Sequence, residues 1–329
     1  MVEEHAILDL VIIGGGPTGI NVGVEAEKAG LDYLIIEKGL LANSIFRFPA
    51  NMTFFSTSKK LEIAEIPFIS HQDKPTRREA LEYYRRIVES YKLNIHYYEG
   101  VNQMERDNGS DWLISTSKDT YRAENVVVAT GFYDTPRMLN VPGEDLPKVK
   151  HFYDEAHPYV GQNILVIGGA NSGCDVALET WQKGAKVTLA VRQPELYEKV
   201  KYWILPNIKN RIKEGAINAH FETIVKEIKA KSVVLHNEKE GQFEIENDFV
   251  LAMTGYKPDY DLLKSLSIPL SQDEYLRPLF DEDTLESPLG NVYIAGVLNA
   301  GLKTSTLFIE NTRHHAGVII SHILSSKKN

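Results

Sequence analysis

Apolar and polar positions along the chain fall into blocks, and the first block sets a pattern that returns later. Residues 10–13 form a continuous apolar run, glycines stand at positions 14–16, and residues 20–29 have helical spacing. A second apolar run follows at residues 33–36. A strand-length apolar run, a glycine turn, a helix and a second apolar run predict a βαβ unit of a parallel sheet.

The second half of the chain repeats this order. An apolar run at residues 163–167 leads into a glycine-rich turn at 168–173, and another apolar run follows at 186–191. Each half also contains an apolar strand that ends in Thr-Gly, at residues 126–131 and 248–255. The repeat predicts an α/β fold of two doubly wound, Rossmann-like domains, with the second inserted in the first.

The stretch 132–150 carries three prolines and scattered charge, which is typical of a linker. We therefore expect the first domain to contain residues 1–135 and 256–329. The second domain is expected to contain residues 136–255. The chain is expected to cross back at residues 256–259.

The pattern also predicts the elements between these units. Thr76 and Glu79 have the spacing of a capping box, which predicts a helix that continues to about Tyr91. The other expectations are an aperiodic loop at 38–49, an antiparallel meander of strands at 94–99, 112–116 and 119–122, short strands within 218–236, a strand at 291–297 and a long helix from 303 to about 325.

The first glycine turn has the residue types of a dinucleotide site. Gly14 permits a tight turn, Gly16 lets the backbone approach a pyrophosphate, and Gly19 allows close packing of helix on strand. The helix that follows offers unpaired N–H donors at its start. Glu37 ends the second strand about 20 residues after the glycines, where a carboxylate can accept hydrogen bonds from an adenosine ribose.

The second turn, at residues 168–173, has the same spacing, but the strand after it leads to Arg192 instead of a carboxylate. A guanidinium at this place favours the extra phosphate of NADPH, whereas an acid favours the free ribose of NADH. Lys199 and Lys201 are candidates to assist Arg192. The two turns therefore predict two different nucleotides.

Composition narrows the function. A net charge of -9 without a dominant Lys/Arg cluster argues against a nucleic-acid partner. No apolar run approaches the roughly 20 residues of a membrane helix, and the N-terminus is acidic, so we expect a cytoplasmic protein with no membrane partner. Cys174 is the single cysteine. It excludes an intramolecular disulfide, a CxxC pair and a cysteine-rich metal site, and no metal is expected.

These residues together resemble the two-dinucleotide flavoprotein disulfide reductases, in particular the low-molecular-weight thioredoxin reductase-like branch. Two dinucleotide turns, a Thr-Gly strand end in each half and an Ile-Ala-Gly strand before the last helix carry the resemblance over nearly the whole chain. Within that branch, four strings are similar to the bacillithiol disulfide reductase group: residues 54–58, 74–77, 156–159 and 295–311.

The resemblance implies FAD in the first domain, NADPH in the second and hydride transfer from nicotinamide to flavin. The implied FAD contacts are Gly14, Gly16, Pro17, Thr18, Gly19, Glu37, Lys38, Ser44, Thr57, Val101, Thr130, Gly131, Gly296, Thr304 and Ser305. The implied NADPH contacts are Gly168, Gly169, Ala170, Asn171, Ser172, Arg192 and Gly255. Thr304 and Ser305 are expected in the first turn of the last helix, whose N–H groups would face a carbonyl or an anionic ring.

The chain departs from the resembled families at three places. The CxxC of true thioredoxin reductases is absent, and residues 151–159 stand in its region, so a dithiol mechanism is excluded. Many relatives of the bacillithiol group have a cysteine in the first glycine turn, where this chain has Thr18. The usual Gly-Asp of the final strand is Gly296-Val297, which leaves the contact to the flavin ribityl unassigned.

No catalytic residue is assigned, and two candidates are kept. Thr18 stands in the first turn, and His157 lies near the place of the missing dithiol, where it could deliver protons to a substrate. Cys174 is interpreted as a buried small hydrophobe. His314 and His315 are expected ten residues into the last helix, with one of them exposed.

The leading hypothesis is an FAD enzyme that takes hydride from NADPH and reduces a low-molecular-weight disulfide, such as a bacillithiol-type disulfide, without an enzyme dithiol. One alternative is a ferredoxin or flavodoxin reductase with a protein acceptor, although we expect no aromatic-bearing C-terminal extension of the kind typical of that group. A second is a flavin monooxygenase, suggested by Phe152 and His157. A non-enzyme alternative is a flavin- or NADPH-binding redox sensor. The resemblance also implies a homodimer.

Overall fold

The computed structural model describes residues 6–107 and 111–327. The strands are β1 Ile7–Ile13, β2 Tyr33–Ile36, β3 Ile95–His96, β4 Val101–Asp107, β5 Asp111–Thr116, β6 Thr120–Val128, β7 Thr135–Pro136, β8 Val149–Lys150, β9 Asn163–Ile167, β10 Lys186–Ala190, β11 Asn218–His220, β12 Thr223–Ile228, β13 Ser232–Asn237, β14 Gly241–Glu246, β15 Phe249–Ala252, β16 Tyr256–Lys257 and β17 Val292–Ile294. The α-helices are α1 Pro17–Ala29, α2 Asn43–Phe46, α3 Ser58–Leu61, α4 Arg77–Tyr91, α5 Asn171–Gln182, α6 Leu205–Lys213, α7 Tyr260–Ser265, α8 Ile309–Thr312 and α9 His315–Ser326, and 3₁₀ helices span His157–Tyr159 and Gly296–Ala300.

The described residues form two compact units. The first unit contains residues 6–46, 52–107, 111–135 and 256–327, and the second contains residues 47–51 and 136–255. The short segment 47–51 packs within the second unit, where Ala50 N donates to Asp154 O at 2.8 Å. The stretch expected to be a linker contains β7 and β8, so it is ordered chain with its own strands.

The first unit is built on a parallel sheet in the order β3-β2-β1-β6-β17. The beginning of β6 also pairs antiparallel with β5, which pairs with β4. The meander is therefore β4-β5-β6, and the prediction that placed residues 94–99 in it was wrong, because β3 pairs parallel with β2. The predicted strands at 119–122 and 126–131 are one strand, β6. The polar side chain of Asn125 within it has a hydrogen-bond partner, because its Nδ2 donates to Asp9 O at 3.0 Å.

The core of the first unit lies on both faces of β1. Leu10, Val11 and Ile12 are fully buried, as expected for a parallel strand that is covered on both sides. Helix α1 adds Ile20 and Val22, which are also fully buried. Each such side chain contributes about 1.5–3 kcal/mol on burial. The glycine turn is thereby held between a buried strand and a buried helix face.

Helix α4 confirms the capping-box prediction. Glu79 N donates to Thr76 Oγ1 at 3.3 Å, and Thr76 N donates to Glu79 Oε2 at 2.7 Å. The helix ends at Tyr91, with Lys92 in the left-handed conformation as its C-cap. Side-chain capping at one end and a left-handed C-cap at the other satisfy backbone groups that the helix itself leaves unpaired.

The second unit repeats the parallel design. Its sheet has the order β11-β10-β9-β15-β8, with every pairing parallel. A separate antiparallel sheet, β12-β13-β14, accounts for the short strands predicted after residue 218. Helix α5 packs on the parallel sheet through Cys174, Ala177 and Leu178, which belong to the core of this unit.

The C-terminal prediction of one long helix from residue 303 was wrong. The chain turns at Lys303–Thr306, forms the short helix α8, and turns again before α9 begins at His315. Asn311 ties the first turn by donating to Thr306 O at 2.9 Å and accepting from Phe308 N at 2.7 Å. Asn21 Nδ2 donates to Arg313 O at 2.7 Å, which gives that carbonyl a partner outside the helix at the second break.

The final strand is also shorter than expected. The sequence predicts a strand over residues 291–297, but β17 spans Val292–Ile294 and a 3₁₀ helix begins at Gly296. Gly296 has a φ of 78°, outside the range of a strand residue, so the chain turns at this position. Within the described ranges, the helices are all too short or too polar to cross a membrane.

Candidate nucleotide-binding sites

The first glycine turn connects β1 to α1 and combines tight packing with one open position. Gly14 has a φ of 114°, and a Cβ atom there would lie 2.7 Å from Ala129 O. A Cβ atom on Gly19 would overlap the carbonyl oxygen of Gly14, which is the close helix-to-strand approach that the motif requires. A Cβ atom on Gly16 would meet nothing within 4 Å, so open space lies beside this backbone.

Helix α1 starts in this turn without a side-chain cap. Gly16 is its N-cap residue, and no side chain accepts from the first N–H groups of the helix. Pro17 is the first helical residue and has no N–H of its own. The open backbone at Gly16 and the uncapped start of a 13-residue helix fit the pyrophosphate of a dinucleotide, which binds at helix N-termini.

Glu37 lies directly after β2 and closes against the same turn. Its Oε2 accepts from Gly15 N and its Oε1 accepts from Gly39 N, each at 2.7 Å. The residue is 6% exposed. Burial raises the pKa of this carboxyl, and the two backbone donors oppose that rise. The predicted position of Glu37 at the turn is therefore observed, and its carboxylate is held by backbone rather than by another side chain.

The segment 38–46 folds back over the first turn. Ala42 N donates to Gly15 O at 3.0 Å, and Lys38 Nζ pairs with Asp134 Oδ2 at 3.0 Å. Asn43 Nδ2 also donates to Asp134 at 3.4 Å. The sequence predicts an aperiodic loop here, but residues 43–46 form α2, which includes Ser44. Sequence reasoning missed Asp134, although its place just after the Thr-Gly strand end could have drawn notice.

A second group of residues meets the first turn from later in the chain. A Cβ atom on Gly296 would lie 2.5 Å from Thr18 Oγ1, and a Cβ atom on Gly131 would lie 3.7 Å from Val297 Cγ2. Gly131, which follows Thr130 at the end of β6, has a φ of 67°. The structure thus brings together Thr18, Gly131 and Gly296, three positions that the sequence places far apart.

Gly296 has a further partner that the sequence does not reveal. Its backbone N–H donates to His315 Nδ1 at 3.0 Å, and both residues are buried. Burial lowers the pKa of His315 to about 4, and the neighbouring His314 adds to this effect. The expectation that one of the two histidines is exposed is confirmed by His314, but both lie at the start of α9 instead of ten residues into a helix.

The remaining predicted FAD contacts lie on separate segments of the first unit. Thr57 precedes α3 as its N-cap residue, and Val101 is the half-buried first residue of β4. Thr304 is half-buried and Ser305 is exposed, and both lie in the turn before α8. The first turn of a long helix is therefore not available to them, and that reason for choosing these two residues was wrong.

The second glycine turn connects β9 to α5 with the same backbone. Gly168 has a φ of 122°, and a Cβ atom on Gly173 would overlap the carbonyl oxygen of Gly168. Ala170 is the exposed N-cap residue of α5, again without a side-chain cap, and Ser172 is exposed. This turn also fits a nucleotide pyrophosphate at a helix start, with one methyl group at the middle position.

The loop after β10 is fastened to the second turn. Tyr197 N donates to Gly169 O, and Lys201 N donates to Asn171 Oδ1, each at 2.9 Å. Gly255, after β15, has a φ of 85° and accepts from Arg137 N at 2.9 Å. These hydrogen bonds therefore hold the edge of the second turn in place.

Arg192 and Lys201, two of the predicted cations of this loop, differ in exposure and in pairing. Arg192 lies two residues after the end of β10, beyond the buried Val191, and is exposed. Lys201 is not exposed: its Nζ pairs with Asp175 Oδ2 at 2.8 Å and lies 5.8 Å from the ring centre of Trp203. The expectation that Lys201 assists Arg192 loses its support, because this ammonium already has a carboxylate partner on α5. Sequence reasoning missed Asp175.

The chain's only thiol is shielded. Cys174 is fully buried in the core of the second unit, and burial raises the pKa of its thiol to about 12. Its Sγ lies 3.8 Å from Gly169 O. These observations confirm the interpretation of Cys174 as a small buried residue. His157, by contrast, is exposed on a 3₁₀ helix.

Side chains that could hold a metal ion are not gathered anywhere in residues 6–107 and 111–327: no group of three or more His, Cys, Asp or Glu residues has a suitable arrangement. The polar groups suited to ligand binding lie instead at the two turns. They are backbone N–H donors, the buried carboxylate of Glu37 and the exposed guanidinium of Arg192. This arrangement suits nucleotides with phosphates and ribose hydroxyls.

Comparison with known proteins agrees with this geometry. The sequence profile of the pyridine nucleotide-disulphide oxidoreductases matches residues 11–296, a range that includes both glycine turns. The chain belongs to this family. Membership implies a flavin cofactor and the use of NAD(P)H, and it confirms the expected class of oxidoreductase.

Individual relatives match nearly the whole chain. Bacilliredoxin reductase Bdr of Bacillus subtilis (strain 168) is 42% identical, over 98% of this chain and 98% of its own length. The structure of bacillithiol disulfide reductase Bdr (YpdA) from Staphylococcus aureus has a TM-score of 0.94 at 40% identity and covers 97% of this chain and 99% of that chain. The corresponding structure from Bacillus cereus gives the same score and identity over 98% and 100%.

A more distant structure shows the fold alone. Thioredoxin reductase from T. acidophilum has a TM-score of 0.76 at 20% identity over 98% of this chain and 99% of that chain. The predicted fold class and the predicted likeness to the bacillithiol disulfide reductase group are both confirmed by these comparisons.

Proposed function

We propose that this chain is an NADPH-dependent flavoenzyme that reduces a low-molecular-weight disulfide of the bacillithiol type, with FAD in the first unit and NADPH in the second. The observation that carries the proposal is the 40% identity, at a TM-score of 0.94, to structures named bacillithiol disulfide reductase. The balanced reaction is one disulfide, NADPH and a proton giving two thiols and NADP⁺.

The residues at the two turns assign the nucleotides. Glu37 would accept hydrogen bonds from the ribose hydroxyls of FAD, as a carboxylate at this motif position does. Arg192 would pair with the 2′-phosphate of NADPH, since it lies one residue beyond the position equivalent to Glu37, its guanidinium is always charged, and it is exposed. This difference supports NADPH over NADH.

The chain's own groups limit the route to the acceptor. A bound flavin would supply the redox chemistry, taking a hydride equivalent from nicotinamide and returning two electrons to an acceptor. Cys174 is the only cysteine of the sequence, and its burial keeps the thiol protonated. Because the thiolate is the nucleophile in disulfide exchange, this enzyme forms no mixed disulfide of its own with the acceptor.

The test is a stopped-flow measurement under anaerobic conditions. The protein loaded with FAD is reduced with NADPH, and the return of flavin absorbance is followed with bacillithiol disulfide, two other low-molecular-weight disulfides or no acceptor. The proposal predicts fastest reoxidation by bacillithiol disulfide, and the same rate for Cys174→Ala. No acceleration over the acceptor-free control by any disulfide would contradict the substrate class, and loss of the reaction in Cys174→Ala would contradict the thiol-free route.

A second candidate acceptor is a bacilliredoxin-type protein disulfide. The name of the 42% identical Bacillus subtilis relative, bacilliredoxin reductase, favours it. The same stopped-flow experiment with an oxidised, bacillithiol-modified bacilliredoxin distinguishes the two acceptors. A reoxidation rate that exceeds that of free bacillithiol disulfide at equal concentration would identify the protein as the preferred acceptor.

The assembly is part of the proposal. The resembled reductases are dimers, and we infer the same state for this chain. Light scattering coupled to size-exclusion chromatography should give twice the mass of the 37.1 kDa chain. A mass equal to one chain across the micromolar range would contradict it.

A further inference from the structure

The hydrogen bond between Gly296 and His315 joins two buried residues at the proposed flavin site. Gly296 starts the 3₁₀ helix after β17, and His315 starts helix α9. The Gly296 N–H donates to Nδ1 of the imidazole at 3.0 Å. His315 is 6% exposed, so water does not replace this acceptor readily.

The direction of this bond fixes the chemical state of the imidazole. A backbone N–H can only donate, so Nδ1 must be unprotonated and the ring must be neutral with its proton on Nε2. The pKa of His315, lowered to about 4 mainly by burial and further by His314, keeps the ring neutral at ordinary pH. The ring of His314 stands edge-on at 4.7 Å between ring centres.

The Gly296 backbone lies directly against the first turn. A Cβ atom on Gly296 would lie 2.5 Å from Thr18 Oγ1, and the φ of 78° turns the chain away from the strand direction at this point. The next residue is Val297, where the resembled families have a carboxylate. The orientation of this backbone is therefore not supported by a charged side chain of its own, and the described partner of its N–H is His315.

We propose that His315 is a positioning residue of the flavin site. By accepting from the Gly296 N–H it holds the 295–296 peptide, and with it the Gly296 backbone that borders Thr18, in a fixed orientation, so that α9 sets the wall against which the cofactor packs. The role is exerted through Gly296 and not by contact of the imidazole with substrate. The inference rests on the proposed function, in that it assumes FAD at the first turn.

Substitutions that move the acceptor by one atom can test this role. In Asn, Oδ1 stands at the same bond distance from Cβ as Nδ1 of His, so His315→Asn retains an acceptor for Gly296. His315→Gln keeps a side chain of similar polarity but places its oxygen one bond further along. His315→Leu removes the acceptor. His314→Asn is the matched control, because the side chain of that exposed neighbour makes no hydrogen bond within the described chain.

The experiment measures FAD affinity by quenching of flavin fluorescence and the flavin environment by its visible absorption and circular dichroism spectra. We expect FAD binding on the order of tenfold weaker in His315→Leu and His315→Gln, since a buried donor loses its acceptor. We expect His315→Asn and His314→Asn to remain within about twofold of the wild type, with unchanged spectra.

The outcomes distinguish failure of the positioning role from failure of the proposed function. Wild-type affinity and spectra in both His315→Leu and His315→Gln would overturn the positioning role. Equal weakening in Asn and Gln would also overturn it, because the position of the acceptor would then be irrelevant. If His315→Leu does not fold, the Asn and Gln pair carries the comparison alone. A wild-type protein that binds no FAD contradicts the proposed function instead, which distinguishes that failure from failure of this inference.

Discussion

The two glycine turns share a backbone and differ in what surrounds it. Each begins with a positive-φ glycine, and each has a helical glycine whose Cβ would overlap a carbonyl of the turn. After the second strand, however, the first turn is followed by the buried carboxylate of Glu37 and the second by the exposed guanidinium of Arg192. Under the proposed function, the glycines let each turn bind a nucleotide, and the residue after the second strand of each unit selects which one.

Enclosure differs as well. Each turn accepts a backbone hydrogen bond from the loop after its second strand, from Ala42 at the first turn and from Tyr197 at the second. The first turn is in addition bordered by Gly296, whereas the middle residue of the second turn, Ala170, is exposed. An enclosed site suits a cofactor that stays bound, and an open site suits a cosubstrate that enters and leaves in every turnover. The difference between the turns therefore matches a resident FAD and an exchanging NADPH.

Removing the carboxylate of Glu37 should have the largest effect. In Glu37→Ala the N–H groups of Gly15 and Gly39 lose their shared acceptor, and FAD loses its ribose partner. We expect FAD affinity to fall about hundredfold and the free energy of unfolding to fall by about 2–4 kcal/mol. Flavin content after purification and urea unfolding measure the two effects. The control is Glu105→Gln on exposed β4, for which a similar loss would show a general charge effect.

Removing the guanidinium of Arg192 should affect only the second nucleotide. We expect the KM for NADPH to rise about tenfold to hundredfold in Arg192→Ala, with kcat and the KM for NADH nearly unchanged, because only NADPH carries the 2′-phosphate. Steady-state kinetics with both nucleotides measure this. Lys186→Ala, at the opposite end of the same strand, is the matched control. An equal rise for NADH would remove Arg192 from the 2′-phosphate site.

Acid should weaken the first unit through His315. Its pKa is 6.5 in the reference state and about 4 in the folded protein. The unfolded chain therefore binds the proton first, and the stability contributed by the neutral ring is lost as the pH falls from about 6.5 to about 4. The shift corresponds to about 3 kcal/mol. Urea unfolding of the wild type and of His315→Asn, both with excess FAD, gives the free energy of unfolding at each pH. Between pH 6.5 and 4 this free energy should fall more steeply with decreasing pH in the wild type than in His315→Asn. Parallel curves would contradict the assignment.

Replacing the hydroxyl in the first turn should have the smallest effect. We predict that Thr18→Ala keeps FAD and changes NADPH oxidation by less than about twofold, since the hydroxyl forms no hydrogen bond within the described chain. Ser172→Ala is the counterpart at the same position of the second turn. Flavin content and turnover measure both variants. Loss of turnover in Thr18→Ala with flavin still bound would show that the hydroxyl takes part in the reaction.

Local signals in the sequence were sufficient for the turns. The positions of the two glycine turns, Glu37 after β2 and Arg192 after β10 follow from spacing, because a strand, a turn and a helix leave few alternatives for where the next strand ends. The capping box at Thr76 likewise encodes its own helix start. Each of these features depends on residues that are near one another in the chain.

Contacts between distant segments could not be read from the same signals. Nothing near Gly296 in the sequence indicates that its N–H pairs with His315, and the pairing of Lys38 with Asp134 is equally remote. The long C-terminal helix was predicted to start at the hydroxyl residues 304–306, which are typical of a helix N-terminus. The break there is decided instead by side-chain bonds, of Asn311 to the turn and of Asn21 to Arg313.

The most direct test of the difference between the two turns is a matrix of two variants and two ligands. Calorimetry would measure the binding of FAD and of 2′,5′-ADP, the phosphate-bearing half of NADPH, to apoprotein of the wild type, Glu37→Gln and Arg192→Ala. We predict that Glu37→Gln weakens only FAD and that Arg192→Ala weakens only 2′,5′-ADP, each by about tenfold or more. Equal weakening of both ligands by either variant, or the reverse pattern, would contradict the assignment of FAD to the first turn and NADPH to the second.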